Sequence, residues 1–184
     1  MLRLKVHKNE KASKSITYFS QDQVSSITPS IVSQLELLAS KELEKNIRIC
    51  LHGEGDNLIQ RMVILERRGP YYPPHCHKGR DEMHLVLKGS LLVFFLDDRG
   101  NPNGVTLNSE GSNSMTFIPS GTSHLTIPLS PVVTYLEIKN GSHVDFATEC
   151  FTPTNKDGDE IESSTYAKLL ENYAKSSIDE YLWD

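Results

Sequence analysis

The chain has 184 residues, of which 38% are hydrophobic, and carries a formal net charge of -5 with a pI near 5.8. This length suits one domain with its own core, and the acidic balance argues against a surface for nucleic acid or anionic lipid. The longest apolar stretch, Leu91 to Leu96, is too short to cross a bilayer, and the N-terminus lacks the apolar segment of a secretory signal. We therefore expect a cytoplasmic protein without a membrane or nucleic-acid partner.

Residues 1–46 predict an N-terminal arm followed by one helix that packs on the rest of the domain. Weak alternation indicates a short strand near Leu2–Val6. Thr28 and Pro29 favour a helix start, because a hydroxyl at the cap and a proline in the first turn are both common there. Apolar side chains then recur at helical spacing, at Ile31, Val32, Leu35, Leu38, Ala39 and Leu43. We expect this helix to end near Lys45.

Residues 47–150 predict a β-rich domain. Short runs of β-branched and aromatic residues alternate with Gly, Pro, Asn and Asp, as in an antiparallel barrel or sandwich. Lys88–Ser90 is typical of a tight hairpin turn, and Asp98–Gly104 is typical of a loop. The run Ser90–Leu96 is apolar on both faces, so we expect the first helix or a partner subunit to cover its outer face. A homodimer is therefore predicted.

Residues 151–184 predict a loop and a second helix. The stretch Thr152–Glu162 is polar, and Ser163 or Ser164 can cap a helix. An apolar stripe follows at Tyr166, Leu169, Leu170, Tyr173 and Ala174. The single tryptophan, Trp183, is expected to pack on the domain or on a partner.

A group of histidines and one glutamate predicts a metal site. His75 and His77 point the same way if they lie on one strand, although such pairs are also common on polar strand faces. The short loop 78–81 brings Glu82 close on the next strand, and a Pro-Gly turn precedes His124. Three neutral imidazoles and one carboxylate suit a first-row divalent ion such as Fe, Zn, Mn or Ni. The sequence therefore predicts one such ion.

The spacing Gly69-x5-His75-x-His77-x4-Glu82-x6-Gly89 resembles the first motif of the cupin superfamily at every fixed position. The resemblance implies an all-β fold, a cupin-type antiparallel β-barrel or jelly roll, here with an N-terminal helix and a C-terminal helix. Cupins bind their metal through the two histidines and the glutamate of this motif, which implies a role as ligands for His75, His77 and Glu82.

Pro119-x-Gly121-x2-His124 resembles the core of the second cupin motif. The histidine of that motif is the fourth metal ligand in cupins, which implies the same role for His124. This chain departs from the motif at Asn113 and Pro128, neither of which is a ligand position.

A narrower resemblance is to the WbuC family of cupin-fold metalloproteins, over roughly residues 40 to 145. The matching elements are Arg48-x3-His52, Gln60-Arg61-Met62, Tyr72-x-Pro74-His75-x-His77 and Leu136-Glu137-Ile138-Lys139-x-Gly141. That family is associated with gene clusters for bacterial surface polysaccharides. The resemblance implies a carbohydrate as the small-molecule partner, and it leaves the reaction open.

Two further histidines are candidate catalytic residues. His84 shares a strand face with Glu82, so it is expected either to move a proton beside the ion or to support a ligand by hydrogen bonding. His52 shares a face with Arg48 and Cys50 if the strand is regular, which makes it a second candidate for acid–base work.

Four residues are candidates for binding the substrate. A guanidinium at the barrel mouth can hold a carboxylate or phosphate, which favours Arg48, although an ion pair on the outer face is the alternative. Gln60 is expected nearby, and Tyr71 or Tyr72 can stack on a sugar or simply fill the barrel.

Two other side chains near the predicted site are less suited to chemistry. Alternation turns Cys76 away from the metal, so a buried spectator thiol is expected. An odd number of cysteines without a C-x-x-C spacing also argues against a disulfide framework. Glu137 is expected either to point inward as an anion or to be solvated.

Three functions fit these patterns. The first is Lewis-acid chemistry on a sugar or sugar-nucleotide intermediate, such as an isomerisation or epimerisation. The second is an Fe(II)-dependent dioxygenase of a small molecule, and the third is a metal-dependent sugar-binding module without catalysis. The identity of the metal separates them best.

Overall fold

The computed structural model describes residues 4–9, 15–23, 26–42, 45–53, 57–69, 73–112, 115–141 and 148–178. The predictions for Leu2, Tyr71, Tyr72 and Trp183 fall outside these ranges. None of the helices within them is long and apolar enough to span a bilayer.

The described chain contains helices α1 (Pro29–Ala39) and α2 (Ser163–Ser177). The first six strands are β1 (Val6–Lys8), β2 (Ile16–Ser20), β3 (Ile47–Cys50), β4 (Ile59–Arg67), β5 (His75–His77) and β6 (Glu82–Lys88). The remaining strands are β7 (Ser90–Leu96), β8 (Pro102–Ser109), β9 (Met115–Ile118), β10 (His124–Pro128), β11 (Val132–Asn140) and β12 (Thr148–Cys150).

The central eight strands have the order of a jelly roll. One sheet contains β4-β11-β6-β9 and the other contains β5-β10-β7-β8. This is the double-sheet arrangement in which strands from the two halves of the chain alternate within each layer. Strands β1 to β3 extend the first sheet to seven strands, and β12 extends the second to five. The prediction of an all-β, cupin-type jelly roll with two flanking helices is confirmed.

The barrel is not purely antiparallel, because β2 and β3 pair in parallel, with Ile16 opposite Ile47. Parallel neighbours need a crossover connection, and α1 lies between them in the chain. The helix buries Ile31 and Leu35 against the outer face of the first sheet, where they meet Leu65 and its neighbours.

The helix α1 ends at Ala39, earlier than the predicted end near Lys45. The guanidinium of Arg67 accounts for the difference, because its Nη2 donates to the carbonyl oxygen of Ala39 at 2.9 Å and to that of Glu42 at 3.3 Å. A basic side chain on the last carbonyls stabilises a helix end. At the other end, Thr28 has extended backbone and its hydroxyl contacts Ser30 rather than a backbone N–H, so the predicted side-chain cap does not form.

The helix α2 covers the outer face of the second sheet. It buries Tyr166, Leu170 and Ala174 completely against Leu92 and Phe94 of β7. The expectation that α1 or a partner subunit covers this strand is therefore wrong for these positions, since the chain's own C-terminal helix does so. The N-cap of α2 is Glu162, and neither predicted serine caps it.

The inner face of β7 packs inside the barrel. Leu91 and Val93 are fully buried and contact Ile118, Val133 and Val86 from the first sheet. This apolar layer fills one end of the space between the sheets. The polar residues described below fill the other end.

Candidate metal centre

Three histidines converge from two neighbouring strands of the second sheet. His75 and His77 lie on β5, and His124 of β10 stands directly opposite His75 in the register. The ring centroids of His75 and His124 are 4.4 Å apart, and those of His77 and His124 are 5.6 Å apart. One nitrogen of each ring lies within 4.8 Å of one nitrogen of both others, which is close enough for a single ion to contact all three.

Hydrogen bonds on the outer side of the rings fix their orientation. The Nδ1 of His75 is 3.1 Å from the carbonyl oxygen of Pro73, and the Nδ1 of His124 is 2.9 Å from that of Thr122. A carbonyl oxygen only accepts, so each Nδ1 carries the proton and donates, which leaves the Nε2 lone pair free. The Nε2 of His124 is buried without a hydrogen-bond partner in the described part of the chain. A free lone pair turned inward is what a metal ligand requires.

Glu82 completes the set from the opposite sheet. Its Oε2 is 3.0 Å from the Nε2 of His77 and 3.6 Å from the Nε2 of His124. Its other oxygen, Oε1, accepts a hydrogen bond from the Nε2 of His84 at 2.5 Å. One carboxylate oxygen thus faces the imidazoles while the other is held by His84. These four donor groups fit a first-row divalent ion.

The protonation states also suit a metal. Burial, together with the neighbouring His124, lowers the pKa of His75 to about 4. Burial raises the pKa of Glu82, but Lys139 and His84 outweigh that effect and hold it well below 4.5. Burial also lowers the pKa of His77, so the site presents neutral imidazoles at His75 and His77 and an ionised carboxylate at Glu82 near pH 7. These are the forms that bind metals.

The central strand β11 adds charged side chains that face the same cavity. Its register places Lys139 opposite Glu82 and Glu137 opposite His84. The Nζ of Lys139 is 3.2 Å from Glu82 Oε2 and 3.1 Å from Glu137 Oε1. Glu137 is 7% exposed, so of the two predicted environments it has the inward, buried one.

His84 lies between the two carboxylates. Its Nε2 is 3.6 Å from Glu137 Oε2, in addition to the short contact with Glu82. Burial lowers the pKa of His84, but the charge of Glu82 and the hydrogen bond to Glu137 outweigh it and raise the pKa to about 9. The imidazole is therefore protonated near neutral pH. His84 lies beside Glu82, as the sequence predicted for a neighbour of the proposed ligands.

A third carboxyl group, that of Glu66, lies in the same cavity. Tyr135 on β11 donates its hydroxyl to Glu66 Oε2 at 2.9 Å, and both side chains are almost fully buried. Burial raises the pKa of Glu66 to about 7, with the hydrogen bond from Tyr135 opposing the rise. This carboxyl group can hold or lose a proton near neutral pH.

These residues line one cavity of about 250 Å³. Its lining extends from the histidines to residues of β3 and β4. The polar lining residues are Ser15, Asn46, Arg48, Glu66, His75, His77, Glu82, His84, His124, Thr126, Tyr135, Glu137, Lys139 and Thr148. The cavity is small for a ligand pocket, for which roughly 300–1,000 Å³ is usual.

The predicted substrate residues divide between the cavity and other positions. Arg48 lines the cavity, half-buried, and its Nε donates to Thr17 Oγ1 at 2.9 Å. Gln60 stands opposite Lys139 and is buried on the same face of the sheet, but it is not among the residues that line the cavity. Its amide nitrogen lies 3.4 Å from the carbonyl oxygen of Gly141. The roles of Tyr71 and Tyr72 stay predictions.

His52 does not reach the cavity, so the structure does not place this predicted acid–base residue at the site. The strand β3 ends at Cys50, and the alternation that linked His52 to Arg48 ends with it. The Nδ1 of His52 instead accepts from the backbone N–H of Arg61 at 2.9 Å, and its ring packs edge-on against Phe19. His52 belongs to the turn between β3 and β4.

The cysteines stand as the sequence suggests. Cys76 is buried with its sulfur 4.0 Å from Glu149 Oε2, on the side of β5 away from the imidazoles. Cys50 and Cys150 are also free thiols, and Cys150 is exposed at the edge of the cavity.

The residues that sequence reasoning missed are Lys139, Glu66 and Tyr135. One signal was present, since Tyr135, Glu137 and Lys139 alternate along one strand and must share a face. Which face it is depends on the pairing of β11 with β6 and β4. That pairing joins residues more than forty positions apart, and no local pattern encodes it.

Comparisons with known proteins are limited to part of the chain. Residues 27–107, less than half of it, match a family described as "Domain of unknown function (DUF6016)". No curated protein matches.

Several solved structures resemble the barrel. KdgF from Halomonas sp. is 19% identical over 54% of this chain and 83% of its own, with a TM-score of 0.44. Oxalate decarboxylase from Bacillus subtilis is 21% identical over 53% of this chain and 24% of its own, with a TM-score of 0.42. Procruciferin, an 11S globulin from Brassica napus, is 17% identical over 52% of this chain, with a TM-score of 0.43. This chain spans about a quarter of the procruciferin chain, 24%. The strand order described above, rather than these similarities, defines the fold.

Proposed function

We propose that this protein binds one divalent transition-metal ion and uses it to bind or convert a small polar molecule. The observation that carries the proposal is the convergence of three inward-facing imidazoles and one ionised carboxylate on a single cavity. The proposed ligands are His75, His77, Glu82 and His124. Fe, Zn, Mn and Ni all suit such a donor set.

Lewis-acid chemistry is the use of this site that we favour. When bound, the ion would polarise a carbonyl or hydroxyl group of the substrate. His84 supplies a proton-holding group beside it, with its Nε2 between Glu82 and Glu137, and Glu66 supplies a second one along the same cavity. Isomerisation or epimerisation next to a carbonyl needs one group to take a proton and one to return it. A simple binding module has no need for such groups in its cavity.

The proposed substrate carries an anionic group that Arg48 holds. Among the described residues, the Nε of its guanidinium donates to Thr17, and Nη1 lies 4.0 Å from the sulfur of Met62, a weak acceptor. Its remaining N–H groups suit a carboxylate or phosphate. A volume of about 250 Å³ favours a single sugar ring, while a sugar nucleotide would extend beyond the cavity. The resemblance to the WbuC family supports a carbohydrate of bacterial surface polysaccharide synthesis.

The ligand assignment is tested by metal analysis of protein purified without an affinity-tag metal. We expect about one equivalent of divalent metal in the wild type and a loss of most of it in His77→Ala. The matched control is His52→Ala, which removes a half-buried histidine outside the cavity and should retain the metal. Equal retention in His77→Ala and His52→Ala would refute the ligand assignment.

An Fe(II) dioxygenase is the second candidate, because three histidines and one glutamate also suit Fe(II). The protein would be loaded with Fe(II) without oxygen, and oxygen uptake would be measured with a panel of sugar acids and sugar phosphates. Substrate-dependent uptake would favour the dioxygenase. Binding of zinc or manganese, with conversion of a sugar and no uptake, would favour Lewis-acid chemistry.

A homodimer is also proposed. The edge strand β9 exposes Met115 and Phe117, which are 64% and 54% exposed. Exposed apolar side chains on an open sheet edge invite pairing with another strand. Light scattering of the wild type and of Phe117→Glu tests this, since the substitution should produce a monomer.

A further inference from the structure

We propose that Lys139 competes with the metal ion for its own site. The ammonium group contacts two of the four ligand residues at the atoms they would present to the ion. It therefore acts as an internal cation that a metal must displace. This inference rests on the proposed metal-binding function.

The contacts of Lys139 are specific. Its Nζ lies 3.2 Å from Glu82 Oε2, 3.2 Å from His77 Nε2 and 3.1 Å from Glu137 Oε1. An ammonium group has three N–H donors, and here three acceptors are within reach. Two of those acceptors, the Oε2 and the Nε2, are also 3.0 Å from each other and are the atoms turned toward the other imidazoles. The Nε2 of an imidazole has one lone pair, so His77 cannot serve the ammonium and a metal ion together. At the Oε2 of Glu82 the two cations compete for the same negative charge.

The strand register explains why the lysine is held there. Lys139 lies on β11 between Gln60 of β4 and Glu82 of β6, in the middle of the seven-stranded sheet. Its side chain is only 14% exposed. The side chains of Glu82 and Glu137 are more buried still, at 3% and 9%. Buried carboxylates need a cation or several hydrogen bonds. Among the lysine and arginine side chains of the described residues, Lys139 is the one that lies within 4.0 Å of both Glu82 and Glu137.

The arrangement has two opposite consequences. In the metal-free protein Lys139 compensates two buried anions, so it stabilises the fold. In the metal-bound protein the ammonium must give up Glu82 and His77, keeps only Glu137 as a partner, and stands close to a divalent cation. Repulsion between like charges at a few ångströms is strong in a buried site. Lys139 therefore lowers the affinity for the metal while it protects the empty site.

The test measures zinc affinity and metal-free stability in the same variants. Lys139→Met removes the charge and keeps an unbranched chain, and Lys139→Arg keeps the charge as the matched control. Dissociation constants come from titration against a chelator of known affinity, and melting temperatures are measured in EDTA. We expect Lys139→Met to bind zinc at least tenfold more tightly than the wild type and to melt lower without metal. Lys139→Arg should bind zinc no more tightly than the wild type.

The opposite changes in affinity and stability distinguish competition from a purely structural role. A structural lysine would lower the melting temperature and weaken zinc binding together, so equal or weaker binding by Lys139→Met overturns the inference. If metal-free Lys139→Met does not fold, the titration is repeated with Lys139→Gln, whose amide keeps hydrogen bonds without the charge and should also bind more tightly. Failure of the wild type and of both neutral variants to bind zinc would instead refute the proposed function.

Discussion

Replacing Glu66 with glutamine should stabilise the protein, and more so at high pH. The carboxyl group is 3% exposed, and its pKa rises from 4.5 to about 7 because burial disfavours the charged form. Each pKa unit corresponds to about 1.4 kcal/mol, so the full effect is about 3 kcal/mol. The groups that face it are Tyr135, Thr126, His84 and Glu137.

The direction of this pH dependence follows from proton binding. With a raised pKa, the folded state binds more protons than the unfolded state between pH 4.5 and about 7. The wild type therefore loses stability as the pH rises through that window, and Glu66→Gln does not lose that part. We expect this effect to raise the free energy of unfolding of the variant above that of the wild type by about 1 kcal/mol at pH 5 and about 3 kcal/mol at pH 8. Any change in packing or hydrogen bonding adds the same amount at both pH values.

The assay is urea unfolding in EDTA at pH 5 and pH 8, followed by circular dichroism. Titrating groups remote from Glu66 contribute equally to both proteins and cancel in the difference. The control is Glu110→Gln, which removes an exposed carboxylate. The difference between its free energy of unfolding and that of the wild type should be the same at pH 5 and pH 8. An advantage of Glu66→Gln that is the same at pH 5 and pH 8, or smaller at pH 8, would refute the reasoning.

Three further substitutions and one reagent test the packing. Phe94→Ala should cost about 3–5 kcal/mol in urea unfolding because Phe94 is fully buried under α2, whereas Leu58→Ala should stay within about 1 kcal/mol because that side chain is 80% exposed. Tyr166→Phe should cost about 1–2 kcal/mol, because the buried carbonyl of Gly100 loses the hydroxyl that donates to it at 2.6 Å. A thiol reagent should modify Cys150 quickly in the native protein and the two buried cysteines only after unfolding.

The clustering of the four proposed ligands was predictable because their positions depend on local spacing. His75 and His77 are two residues apart, and a short turn returns the chain to Glu82, so one β5–β6 connection brings three of them together. For His124 the local signal was the Pro-Gly turn before it. Short strands and turn residues predicted a barrel or sandwich, and the resemblance to cupins implied the jelly roll.

The rest of the site depends on long-range pairing. Lys139 and Glu66 belong to strands whose neighbours lie far along the chain, so their inward orientation is decided by register. The error at His52 has a local cause, because β3 stops at Cys50 and period-two reasoning holds only inside a strand. The sequence could not show which helix packs on the outer face of β7, because both helices have an apolar face that could do so.

The most direct measurement of the central claim is X-ray absorption spectroscopy of the zinc-loaded protein. The account predicts a shell of nitrogen and oxygen ligands at about 2.0–2.1 Å with the outer-shell scattering of three imidazole rings and no sulfur. A sulfur shell near 2.3 Å, or scattering from fewer than two imidazoles, would contradict it.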